Sequence, residues 1–120
     1  MLPNFLVEEQ AVEKDGEGPV VALEGAAGKA LALTLGITDV KEQQSLDVQI
    51  FGSADGSEFG TKPLTTFAQQ FYKGISTATF DLAPTPEIQY LRARWKVGRW
   101  GHSVDAPMFR FYVFAELAPD

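Results

Sequence analysis

The nine residues "FRFYVFAEL" (109 to 117) decide the fold class. Phe109, Phe111, Val113, Ala115 and Leu117 fall on one side of an extended chain, and Arg110, Tyr112, Phe114 and Glu116 on the other. Successive side chains of a strand point to opposite faces, so the alternation predicts a strand with one buried face. A helix of period 3.6 would scatter the same apolar residues around its circumference.

The same period recurs upstream. "KALALTLGI" (29 to 37) sets Leu31, Leu33, Leu35 and Ile37 against Ala30, Ala32 and Thr34. "LDVQIFG" (46 to 52) sets Leu46, Val48 and Ile50 against Asp47, Gln49 and Phe51. "YLRARWKV" (90 to 97) sets Leu91, Ala93, Trp95 and Val97 against Arg92, Arg94 and Lys96. "ISTATFDL" (75 to 82) is rich in β-branched residues, and "VVALE" (20 to 24) is short and apolar. An opening strand is expected around Phe5 to Val12. Gly25 and Gly28 mark a turn, and "DGEGP" (15 to 19) and "APTP" (83 to 86) read as loops. "LTTFAQQF" (64 to 71) spaces Leu64, Phe67 and Phe71 as one helical turn or as an irregular crossover with aromatic plugs. No other stretch suggests a helix. The expectation is an all-β protein: two antiparallel sheets packed face to face, in a single domain over residues 1 to 120.

Composition narrows the function classes. The 120 residues are 45% hydrophobic, too many for disorder and enough for a core in one domain. A net charge of -6 argues against non-specific binding to nucleic acid or anionic membrane. Without cysteine there is no disulfide, no thiolate metal site and no thiol nucleophile. "MLPNFLVEEQ" (1 to 10) lacks a signal-peptide pattern, and no apolar run reaches the length of a membrane span. A cytoplasmic location is the default expectation.

Several chemistries fail on spacing. "EGAAGKA" (24 to 30) has Leu23 where a phosphate loop needs its first glycine, and Ala30 where it needs a hydroxyl. "GEGPVV" (16 to 21) lacks the third glycine of a dinucleotide fingerprint. "HSVD" (102 to 105) crowds His102, Ser103 and Asp105 too closely for a catalytic triad. One histidine and no cysteine leave a zinc ion only carboxylates. Asp55 and Glu58, in "GSADGSEFG" (52 to 60), are weak candidates for calcium, but Asp-Gly is first of all a turn dipeptide. Neither a catalytic residue nor a cofactor is expected.

The charge is unevenly spread. Residues 1 to 60 carry eleven acids against three lysines, a net of -8. Residues 61 to 120 carry seven bases against five acids, a net of +2. Arg92, Arg94 and Lys96 share a strand face and form a candidate interaction face. They would pair with the protein's own acidic half, with a neighbouring subunit or with an anionic ligand. Residues 98 to 108, "GRWGHSVDAPM", read as a long loop, and long loops often carry function. Trp100, Arg99 and His102 are the candidate ligand-binding residues there. Trp100 either folds back on the core as a lid or presents itself to a ligand.

"LDVQIFGSADGSEF", "PEIQYLRARWKV" and "FRFYVFAEL" together resemble the discoidin (factor 5/8 type C, galactose-binding-like) β-sandwich over roughly residues 46 to 117. Ser53, Asp55, Gly56, Phe59, Tyr90, Leu91, Arg92, Glu116 and Leu117 match that family's strand–turn–strand motifs. The N-terminal part is shorter and the framing cysteines are absent. The family's ligand loops fall where the chain does not match, so no binding residue carries over. The resemblance implies a jelly-roll sandwich and a non-enzymatic module for ligand or glycan recognition. A looser likeness to small β-sandwich modules of phage and prophage particles implies a structural or assembly role through the 92 to 96 face. The expected partner is a carbohydrate or a protein subunit, including a second copy of the chain, and neither nucleic acid nor membrane.

Overall fold

In the computed structural model the described residues are 3–40, 44–99 and 109–118. The strands are β1 (Asn4–Val12), β2 (Gly16–Glu17), β3 (Val21–Ala22), β4 (Ala30–Val40), β5 (Gln44–Ser53), β6 (Thr65–Thr66), β7 (Gly74–Asp81), β8 (Tyr90–Arg99) and β9 (Phe109–Leu117). One 3-10 turn, Glu24–Ala26, is the only helical element among the described residues. None is long and apolar enough to cross a membrane.

The strands form two antiparallel sheets. The first runs β1-β9-β4-β7. The second runs β2-β8-β5-β6, with β3 also paired to β8. With β2 and β3 counted as one broken strand, the orders become 1-8-3-6 and 2-7-4-5. That is the double Greek key of a jelly roll, in which sequence neighbours alternate between sheets except at the central pair, here β5 and β6. The core lies between the inner faces. Leu31, Leu33, Leu35, Phe109, Phe111 and Val113 supply one side, and Leu46, Val48, Ile50, Leu91, Ala93 and Trp95 the other. These are the residues that the period-two patterns place on one face of each strand.

Trp95 spans the layers. Its ring meets Phe111 edge to face at 5.5 Å between centroids. Its indole Nε1 donates to the Lys14 carbonyl oxygen at 3.1 Å. Gly16 stands opposite Trp95 on β2, and a methyl group there would come within 2.8 Å of the ring. The 15 to 19 segment, read as a loop, therefore includes a short strand that seals the indole.

Other differences from the sequence reading have local causes. "VVALE" is a strand only at Val21–Ala22, because β3 pairs with β8 at Leu91 and Tyr90 and the chain then turns. Residues 64 to 71 form no helical turn. Thr65–Thr66 pair with β5, Phe67 is buried, and Gln70 bridges to Leu46, so the stretch is the irregular crossover with an aromatic plug. β8 runs on to Arg99, which places Gly98 and Arg99 in a strand. Leu117, at the end of β9, is 45% exposed. Phe51, on the polar-reading face of β5, is buried, for a reason given below.

Phe111 is fully buried and joins both layers through Trp95. Phe111→Ala is expected to lower stability by about 3–5 kcal/mol, read as a shift of the urea midpoint at unchanged slope.

Candidate functional site

The outer face of the first sheet carries an aromatic shelf. Tyr112 and Phe114 point outward from β9 because Phe111, Val113 and Ala115 point in. β1 lies alongside, with Phe5 paired to Phe114. The Phe5 ring meets Phe114 at 4.9 Å and Tyr112 at 6.0 Å, tilted 62° and 82° to them. Gly36 of β4 stands opposite Tyr112, and the Tyr112 ring lies across it in space that any side chain would fill. Glycine at 36 thus lets the ring lie down on the sheet while Phe5, 41% exposed, rises beside it. Glu9 and Thr34 complete an open cleft of about 370 Å³ lined by Phe5, Glu9, Thr34, Tyr112 and Phe114. The Glu9 carboxylate accepts from Arg110 Nε at 2.7 Å at its margin. The cleft offers three aromatic rings, the hydroxyls of Thr34 and Tyr112 and an ion pair, and no nucleophile held against a base.

The outer face of the second sheet holds the basic residues. Arg92 and Arg94 share one counter-ion, Glu17 of β2, at 3.3 and 3.1 Å. Arg92 Nε also donates to the Gly18 carbonyl oxygen at 2.9 Å. The Arg94 guanidinium lies 4.4 Å from the Phe51 ring centroid, and that of Arg92 lies 5.4 Å from Phe59. Planar guanidinium groups stack on aromatic faces, and each such contact at a partly exposed site contributes about 0.5–1 kcal/mol. The arginines therefore roof a small apolar layer, which buries Phe51 and Phe59 on a face open to water. Lys96 is exposed, one strand over from Asp47. The cationic ladder read from sequence is largely answered by the chain's own acidic half.

The third region is the turn after β5. The Ser53 hydroxyl donates to Asp55 Oδ1 at 2.9 Å, and the same oxygen accepts from the amides of Ser57 and Glu58 at 2.8 and 2.9 Å. Gly56, with φ of 82°, takes the left-handed conformation the turn needs. The Asp55 carboxylate is occupied by its own turn, and Glu58 is exposed. Among the described residues no group of three His, Asp or Glu side chains is placed to hold a metal ion. Trp100, His102 and the side chain of Arg99 lie outside the described residues. The flanking strands, β8 ending at Arg99 and β9 beginning at Phe109, belong to different sheets.

Reading the sequence alone missed the shelf. The available signal was two aromatics, Tyr112 and Phe114, on the solvent side of an alternating strand. Phe5 is more than a hundred positions away, and nothing local announced it. Neither protein-family models nor curated proteins match the chain.

The turn amides and the Ser53 hydroxyl stabilise ionised Asp55 and lower its pKa from the ordinary 3.8 to about 2, the Glu58 and Ser57 amides contributing most. A depressed carboxylate pKa adds stability that is present above the unfolded value and lost as pH falls through the folded one. The stability advantage of wild type over Asp55→Ala should be constant above pH 5 and shrink between about pH 4 and pH 2. Parallel urea titrations across that range check it.

Proposed function

We propose that this chain is a non-enzymatic recognition module that binds carbohydrate on the aromatic shelf of its first sheet. The observation that carries the reading is the uncovered pairing of Phe5 with Tyr112 and Phe114 beside polar Glu9 and Thr34. Aromatic rings with apolar faces and wet edges suit ligands that are apolar on one side and polar at the rim. A pyranose has that character: C–H groups to stack, and hydroxyls to meet a carboxylate and a threonine. The cleft volume lies within the range of small-ligand sites. The jelly-roll strand order supports the likeness to galactose-binding-like domains, though the site lies on a sheet face rather than in loops. An assembly role through residues 92 to 96 has less to draw on, because Arg92 and Arg94 already share Glu17.

The test is a carbohydrate array followed by calorimetry on any sugar retained. Phe5→Ser should weaken binding about tenfold, or ~1.4 kcal/mol, at near-unchanged melting temperature. Gly36→Ala should weaken it similarly by displacing the Tyr112 ring from the shelf. Loss confined to Trp100→Ala would move the site to the 98 to 108 loop. Wild-type protein that retains no sugar would overturn the reading.

A further inference from the structure

The sheet edges are not treated alike. β1, one edge of the first sheet, carries Glu8 and Glu9 and two register irregularities against β9. β2 and β6, at the ends of the second sheet, are two residues long. Charges, bulges and short strands are the usual means of keeping an edge from pairing with another chain. β7 has neither bulge nor shortness, and its one charge, Asp81, is its last residue. It is eight residues long and pairs with β4 without a register shift. From Gly74 to Phe80 it holds no charge and no proline. Among the described residues it pairs with β4 alone. Ile75 on its outer face is 72% exposed, and Tyr72 just before it is 77% exposed.

The backbone defines what fits there. The Leu82 amide donates to Lys29, directly before the Ala30–Asp81 pair, so even-numbered residues turn their amides and carbonyls toward β4. Those of Ile75, Thr77, Thr79 and Asp81 therefore face the open edge, since these groups alternate sides along a strand. An antiparallel partner must pair odd residues with odd.

We infer that β7 is a self-pairing edge: two copies of the chain join antiparallel about a two-fold axis at Thr77 into one continuous eight-stranded sheet. In that register Thr77 faces Thr77 of the second copy, and Ile75 faces Thr79. Lys73, just outside the strand, faces Asp81, and the axis repeats that ion pair at the other end. Gly74 faces Phe80, so the residue without a side chain lies under the bulkiest one of the strand. Registers centred one residue either way bring like-facing backbone groups together as well, but they leave Lys73 and Asp81 without each other. The self-complementarity of charge and size selects the second copy as the occupant, as an isologous interface requires.

The test is absolute mass by light scattering after size exclusion, over a hundredfold range of concentration. The expected result is a concentration-dependent species of twice the 13.1 kDa chain mass. Lys73→Asp alone and Asp81→Lys alone should each weaken the dimer about tenfold, and the double exchange should restore it. Thr77→Pro removes an amide that only a partner uses and should give a monomer, with circular dichroism reporting that the fold persists. Lys96→Glu, on the other sheet, should change nothing. A wild-type monomer at all concentrations overturns the inference. So does a dimer that survives Thr77→Pro, or one that both single exchanges weaken and the double exchange does not restore.

Discussion

The sandwich depends on how one indole is buried. Trp95 is the bulkiest core side chain of β8, and its N–H cannot be taken from water without a replacement acceptor. The Lys14 carbonyl supplies it, which fixes the path between β1 and β2. Gly16 then passes over the ring where no larger residue fits, and pairs there with Trp95 itself. On its other side the ring packs edge-on against Phe111 of the opposite sheet. One side chain thus sets the spacing of the layers, the position of β2 and the height of Glu17. The rest of the basic face follows. Glu17 stands where it can meet Arg92 and Arg94 because β2 is held in register with β8.

The arginines show why a charge map from sequence misleads. Five bases against one acid between residues 88 and 114 suggest a surface waiting for an anion. Folding brings Glu17 from the acidic half and lays the guanidinium groups on Phe51 and Phe59. Surface ion pairs are individually weak. Together with stacking they form a lid that keeps two phenylalanines dry outside the core.

The long strands were legible because period-two alternation is a property of five or more consecutive residues. "KALALTLGI", "YLRARWKV" and "FRFYVFAEL" each carry it without interruption. β2, β3 and β6 are two residues long and have no period to read. They exist because β5 and β8 offer them partners, which is tertiary information. The same limit hid the shelf. Tyr112 and Phe114 were visible as outward aromatics, but Phe5 and Gly36 join them only through the β1-β9-β4 order. The Asp55 turn needed no such information, since its hydrogen bonds are all local.

The strand order of the first sheet sets the distance over which it can act. The shelf sits at β9, two strands in from β7. Sheets joined at β7 would carry two shelves on the same face, five strand spacings apart, or roughly 24 Å. A polymer with a regular repeat, or two ends of one branched chain, can bridge such a span. Once one end is held, the other meets its site at an effective concentration in the millimolar range. Each shelf is shallow, and weak contact by one is compatible with firm retention by two. Avidity would then depend on repeat length in the ligand, and short fragments of the same polymer would be held far less tightly than their composition suggests.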